Sequence, residues 1–310
     1  MGTGVFAEFT GTGDGLLVEL LVQPAINYAL VHNRVPLVRQ VLVTNTGATP
    51  LTDLRVALQL LGPGGPVTPL WQRESDRPVP PGGTVRWEDF AQLRPDPEQL
   101  RTADEAYPVD YRLAVAATGR QELDLAAPSR VLAHNEWFNA PALYDSLAAF
   151  VQPNTQAVHE VLRSAAQILA SRTGSGSLQG YQAGPQRASQ IAGAVYEALR
   201  QYGLEYQELP PSFERTGQKV RGTAAVLDGR AGNCVDLAVA YAACLEAAGL
   251  HPLVWLTRTH AFAGFLLADE RLPAPVVTEG NLILAMVRSG RAVPVELTSI
   301  GAGKLSQPFP

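Results

Sequence analysis

Up to about residue 135 the chain alternates apolar and polar side chains in short runs, among them LLVELLV, RQVLVTN, LRVALQLL, TVRWEDF and YRLAVAAT. A period of two places successive side chains on opposite faces of a strand, so each run predicts a strand with one buried face. Turn-forming pieces such as GPGGP and PVPPGG separate the runs at the spacing of an antiparallel sandwich.

The period changes near NEWFNAPALYDSL. In NTQAVHEVLRSAAQILA, residues Val158, Val161, Leu162, Ala165, Ile168 and Leu169 recur at three- and four-residue steps, which predicts an amphipathic helix with Asn154 as its cap. After TGSGSLQGYQAG, Pro185 suits the first position of a second helix, QRASQIAGAVYEALRQY, which Gly203 can end. GNCVDLAVAYAACLEAAGL reads as a strongly apolar helix opened by Gly232 and Asn233 and closed by Gly249. Beyond it WLTRTHAFAGFLL, NLILAMV and AVPVELTSI read as three strands, the last two joined by a hairpin turn at RSGR. Helices followed by an antiparallel sheet make an α+β domain. The expected organisation is an immunoglobulin-like β domain over residues 1–136, serving as a spacer or docking platform, and an α+β domain over residues 137–310.

Composition narrows the classes. A chain of 310 residues with 46% hydrophobic content can bury two conventional cores. Its 24 basic and 29 acidic side chains give a net charge of −5, and no block of Lys or Arg is present to track a phosphate backbone, so direct nucleic-acid binding is not expected. No run of about 18 uncharged apolar residues predicts a membrane span, and MGTGVFAEFTGTG lacks the order of a secretory signal. Cys234 and Cys244 would lie about 15 Å apart along one helix, too far for a disulfide. Two reduced thiols fit a cytoplasmic protein.

Cys234 stands in the first turn of its helix, where unpaired N–H groups and the positive end of the helix dipole favour thiolate over thiol. That is a nucleophile's setting, although a free cysteine also serves as core filling, the role read for Cys244. A nucleophilic thiol needs a base, and the chain has five histidines. His32 and His134 belong to the β domain, His159 faces solvent on its helix, and His251 follows the helix stop. His260, in THAFAGFLL, shares a strand face with Phe262 and Gly264 and would meet the thiol if the cysteine helix packs there. The imidazole in turn needs an acceptor to fix its tautomer. On a straight strand Asp269 would lie roughly 30 Å from His260, so the partner must come from a neighbouring strand. Glu296, the carboxylate within AVPVELTSI, is the candidate, since an unpaired charge among Val, Pro and Leu would be costly.

GNCVDLA, THAF and VPVELTSI, in this order on helix, strand and strand, resemble the transglutaminase-like cysteine peptidase superfamily. A closer resemblance rests on LVQPAINYALVHNRVPLVRQ, LAHNEWF, FVQPN, GYQ, SFERTGQKVR and LEAAGLHPLVWLTRTHAF. These together resemble the N-terminal module of large bacterial proteins in which an immunoglobulin-like and a transglutaminase-like domain precede helicase and nuclease parts. The resemblance implies an N-terminal immunoglobulin-like β-sandwich followed by a papain-like, transglutaminase-like α+β domain. It implies Cys234 as nucleophile, His260 as general base and acid, and Glu296 as orienter. Many superfamily members carry Asp before a Pro-Thr pair where this chain has Glu296, Leu297 and Thr298, so the carboxylate is one methylene longer. Papain-like relatives hold the oxyanion with an upstream side chain, for which Gln218 in TGQKVR is the candidate beside the Cys234 backbone N–H.

GAGKL lacks the leading glycine and the Ser/Thr of a phosphate loop, and GSGS is a linker. No metal-ligand spacing occurs, and no cofactor is expected. The expected function is a cysteine hydrolase, a peptidase acting on a protein substrate through a Cys-His-Glu triad. Transglutamination or deamidation would use the same first step, and an inactive protein-binding module is the reading from another class. Association with helicase, nuclease or defence components follows from the second resemblance alone. The close of the chain at LSQPFP fits either a complete short protein or an excised module.

Overall fold

The computed structural model describes residues 6–207 and 217–300. The readings attached to MGTGV, SFERT, GAGKL and LSQPFP fall outside the described residues. The architecture is mixed α+β with several antiparallel sheets. The chain divides into two compact units, one running to Ser146 and taking in Gly217 and Gln218, the other beginning at Leu147.

In the first unit β1 (Ala7–Gly13), β2 (Leu16–Val22), β3 (Val38–Asn45) and β7 (Thr84–Trp87) form one antiparallel sheet in that order. A second sheet has the order β5 (Gly65–Pro66), β4 (Arg55–Gly62), β8 (Tyr107–Ala116), β9 (Leu123–Val131), with β6 (Trp71–Glu74) also paired to β4. Alternation explains which residues turn inward: LRVALQLL buries Val56, Leu58 and Leu60, and LLVELLV buries Leu16, Val18 and Leu20. These side chains join Val41, Val43, Tyr111, Leu113 and Val115 in one core shared by both sheets. Each such side chain taken fully out of water contributes about 1.5–3 kcal/mol. Strand β9 has no comparable apolar run, and it carries Pro128 without penalty because it lies at a sheet edge.

The second unit begins with a run of 3-10 turns at Pro141–Phe150 that straddles the division, followed by the helix Gln156–Thr173. Its cap is Thr155, whose hydroxyl accepts from Val158 N–H at 3.4 Å, rather than Asn154. Val158, Val161, Leu162, Ala165 and Leu169 are its buried stripe, and His159 is exposed. The helix Pro185–Arg200 starts with proline in its first turn. A short helix, Thr223–Gly229, precedes the cysteine helix, Cys234–Ala247, after which Gly249 adopts φ +76°. That left-handed conformation suits glycine and ends the helix. Tyr241, fully buried in the cysteine helix, donates its hydroxyl to Ala192 O at 3.0 Å, so no polar atom of that ring is stranded.

The sheet of this unit has three antiparallel strands, Pro252–Leu256, Ala261–Leu266 and Ala292–Val295, with Ala261–Leu266 in the centre. Ala263, Phe265, Val295 and Leu297 share a core with Leu237, Ala238, Tyr241 and Cys244 of the cysteine helix. Two strand readings are corrected. WLTRTHAFAGFLL is not one strand but parts of two, joined by a turn in which Thr257 N donates to His260 O at 2.8 Å. NLILAMV lies in the helix Gly280–Arg288, not in a strand. A run of six apolar residues after Asn281 suits either element, and here Met286 alone is buried, packed on Leu266 and Ala292, while Leu282 and Leu284 stay exposed. RSGR is accordingly a helix stop, with Gly290 at φ +68°. No helix among the described residues is long and apolar enough to cross a membrane.

Candidate active site

Cys234 is the first residue of its helix and is half-buried. Gly232 lets the first turn of the helix pack close to the preceding backbone, since a Cβ added there would come within 3.2 Å of the Asp236 Cβ and press on Leu237. Asn233 caps the helix, its Oδ1 accepting from Val235 N at 2.8 Å and Asp236 N at 2.9 Å. Asp236 returns the favour by accepting from Asn233 N at 3.1 Å, a reciprocal capping box. Leu237 N bonds Asn233 O at 3.0 Å. The N–H groups of the next three residues are therefore occupied, while that of Cys234 has no hydrogen-bond partner among the described residues. A free donor sits at the base of the thiol, where an oxyanion formed on an attacked carbonyl would need one.

Asp236 also ties in a second segment. Its fully buried carboxylate accepts from Arg221 N at 2.8 Å and lies 3.9 Å from Arg221 Nε, and Arg221 Nη1 reaches Ala231 O at 3.2 Å. Burial pushes the Asp236 carboxyl above its ordinary range, opposed by the two backbone N–H donors and the Arg221 charge. This lock is legible in the sequence only as an Asn three residues before an Asp at a helix start.

His260 precedes the central strand rather than lying in it, and the strand residues that share a core with the cysteine helix are Ala263 and Phe265. The condition set for His260 to meet the thiol through its strand face, that the cysteine helix pack on the side of Phe262 and Gly264, is not met, because the opposite parity is turned inward. The ring keeps the parity of Phe262, and the turn holds its backbone. His260 N donates to Thr257 Oγ1 at 3.0 Å, and the imidazole stacks on Phe262 with centroids 6.1 Å apart, Phe262 in turn stacking on Trp255 at 5.5 Å.

Glu296 likewise stands one residue beyond its strand. Its Oε2 lies 2.9 Å from His260 Nε2, joining residues far apart in sequence. Its Oε1 accepts from Thr298 N and Thr298 Oγ1, both at 2.8 Å. Partial burial opposes ionisation of Glu296, but the Thr298 N–H, the His260 bond, the Thr298 hydroxyl and the imidazole charge outweigh it and hold the carboxyl below its usual range. With Nε2 committed to the carboxylate, a neutral ring donates from Nε2 and keeps its lone pair on Nδ1.

The structure thus brings His260 and Glu296 together and sets Cys234 at the start of the helix that packs on the same sheet. No hydrogen bond joins Cys234 Sγ to the imidazole among the described residues. Gln218, half-buried in the two-residue strand Gln218–Lys219, is grouped with the first unit, and its side chain makes no hydrogen bond among the described residues. Cys244 is fully buried, and burial pushes its thiol up to about 12. Asp269 pairs with His251, Oδ1 to Nε2 at 2.7 Å, and Glu270 pairs with Arg291 at 3.1 Å. Among the described residues no group of three His, Cys, Asp or Glu side chains is placed to hold a metal ion.

No family model and no curated protein matches the chain. Among solved structures, a candidate protease from Parabacteroides distasonis is similar at 11% identity and a TM-score of 0.28, over 85% of this chain and 64% of its own. A candidate β-galactosidase from Bacteroides fragilis is similar at 14% identity and a TM-score of 0.21, over 40% of this chain and 15% of its own. The candidate ApaA protein from Bordetella pertussis is similar at 11% identity and a TM-score of 0.19, over 42% of this chain and 95% of its own. The chain spans less than two thirds of the length of the first two. At these TM-scores the likenesses carry no argument about fold or activity.

Proposed function

We propose that the protein is a cysteine hydrolase that cleaves an amide in a protein substrate through Cys234, His260 and Glu296. The observation that carries this reading is the 2.9 Å bond between His260 Nε2 and Glu296 Oε2, which orients an imidazole and leaves its Nδ1 as the base. The proton of the Cys234 thiol passes to Nδ1 as Sγ bonds the substrate carbonyl carbon. The carbonyl oxygen takes the negative charge and is met by the Cys234 N–H. The C–N bond then breaks, the amine leaves with the proton held on His260, and a thioester remains. Water, deprotonated by His260, attacks the thioester, and the thiolate leaves and recovers the proton.

The finer fold reading, an immunoglobulin-like β-sandwich followed by a papain-like, transglutaminase-like domain, belongs to this proposal, as does a cytoplasmic setting. It is supported by two antiparallel sheets over one core and by the order of a cysteine-bearing helix, a histidine-bearing strand entry and a carboxylate-bearing strand exit. A second reading, an inactive protein-binding module, is favoured by the lack of a Cys234–His260 hydrogen bond. One experiment separates the readings. The protein is incubated with a mixture of denatured proteins, with and without a primary amine, and the products are weighed by mass spectrometry. Hydrolysis gives new peptide termini that vanish in Cys234→Ala. Amine addition, or a gain of about 1 Da at glutamine, assigns transfer or deamidation to the same three residues. Products unchanged from those of Cys234→Ala reject an enzyme.

A further inference from the structure

Thr298 stands two residues after Glu296, and its backbone and side chain converge on one atom. Glu296 Oε1 accepts from Thr298 N at 2.8 Å and from Thr298 Oγ1 at 2.8 Å, which leaves Oε2 for His260 Nε2 at 2.9 Å. The Glu296 side chain is 49% exposed. A glutamate so exposed, with three rotatable torsions, would otherwise spread over several staggered rotamers and meet the ring only part of the time. The segment that bears Thr298 is itself fastened. Leu297 is buried between the two residues, Ser299 Oγ donates to Glu296 O at 3.3 Å, and Ser299 Oγ lies 3.1 Å from the hydroxyl of Tyr196.

We propose that Thr298 is a positioning residue for the His260–Glu296 pair: its N–H and hydroxyl fix one carboxylate oxygen so that the other stays aimed at the imidazole. Thr298 acts through Glu296 on the ring and touches neither substrate nor thiol. The added methylene of glutamate gives this clamp its purpose, because a longer side chain has one more torsion to fix. The inference rests on the cysteine-hydrolase reading, and it applies to hydrolysis and amine transfer alike.

The test is the rate at which iodoacetamide labels Cys234 at about pH 6 in the full chain, compared among wild type, Thr298→Val, Thr298→Ser and His260→Ala, with melting temperatures recorded. Valine keeps the volume and the N–H but removes the hydroxyl, and serine restores it. Thr298→Val should label about tenfold more slowly, the size set by one hydrogen bond to a charged group. Thr298→Ser should stay within about twofold of wild type. A wild-type rate in Thr298→Val alongside a slow His260→Ala overturns the positioning role and leaves the hydrolase reading standing. A wild-type rate in His260→Ala overturns both. Equal slowing by valine and serine also overturns it, since shape and not the hydroxyl would then matter. Should Thr298→Val fail to fold, Thr298→Ala takes its place with the same expected loss.

Discussion

Replacing Asp236 by alanine removes the acceptor that locks the start of the cysteine helix. Two N–H groups lose their partner, Asn233 N at 3.1 Å and Arg221 N at 2.8 Å, and the Arg221 guanidinium loses its nearest carboxylate. Each buried donor left without an acceptor costs about 1–3 kcal/mol, and the half-buried Arg221 stands at the lower end. Removing a fully buried carboxylate also relieves the cost of holding its charge away from water, which offsets part of this loss at neutral pH. The net loss should be about 2 kcal/mol at neutral pH, a fall of about 4–8 °C in melting temperature for a unit of this size. The pH dependence has a definite sign. Because burial raises the folded pKa of Asp236, its contribution is fullest below the ordinary aspartate pKa and declines as pH rises through the folded value. The deficit of Asp236→Ala should therefore be larger at about pH 4 than at about pH 8. Guanidinium unfolding followed by tryptophan fluorescence measures it, with Glu246→Ala, an exposed position on the same helix, as control. A deficit within about 0.5 kcal/mol of that control, the spread of neutral surface substitutions, would refute the lock, as would one that grows toward alkaline pH.

Three further outcomes follow from the same geometry. Cys244, buried with its thiol pushed up to about 12, should resist alkylation at neutral pH, so that Cys234→Ala removes all labelling; Cys244→Ser should cost about 1–3 kcal/mol in denaturant unfolding. A side chain at Gly264 would run into Val293 O and come within 2.8 Å of Trp255 Nε1, so Gly264→Ala should part the central and last strands, lower stability by about 1–3 kcal/mol and speed amide exchange of Phe265. Glu296 is held below the usual glutamate range, so its contribution to stability is present above about pH 4.3 and is lost as pH falls through the depressed folded value; urea midpoints of Glu296→Gln and wild type should differ near pH 6 and converge in acid.

Alternation along LLVELLV, RQVLVTN and LRVALQLL was enough to read the inward faces of β2, β3 and β4, because a half-buried strand cannot hide its period. The amphipathic stripe of Gln156–Thr173 was legible for the same reason. NLILAMV was not, since six consecutive apolar residues carry no period that separates strand from helix, and its neighbours Leu266 and Ala292 decide the matter. His260 and Glu296 were legible as residue types and order, yet both lie one residue outside their strands. Their meeting depends on a turn fastened by Thr257 and a carboxylate fastened by Thr298, and neither threonine differs in sequence from an ordinary turn residue. Asp236 was written in the chain three residues after Asn233, as the second half of a capping box, but its bond to Arg221 N belongs to tertiary structure alone.

The most direct measurement of whether the thiol and the imidazole act together is the rate of Cys234 alkylation across pH in wild type and His260→Ala. Wild type should keep a large share of its alkaline rate at about pH 6, and His260→Ala should lose at least about tenfold there. If both variants instead follow the thiolate fraction of a free cysteine, with its pKa near about 8.5, the three residues do not form a catalytic unit.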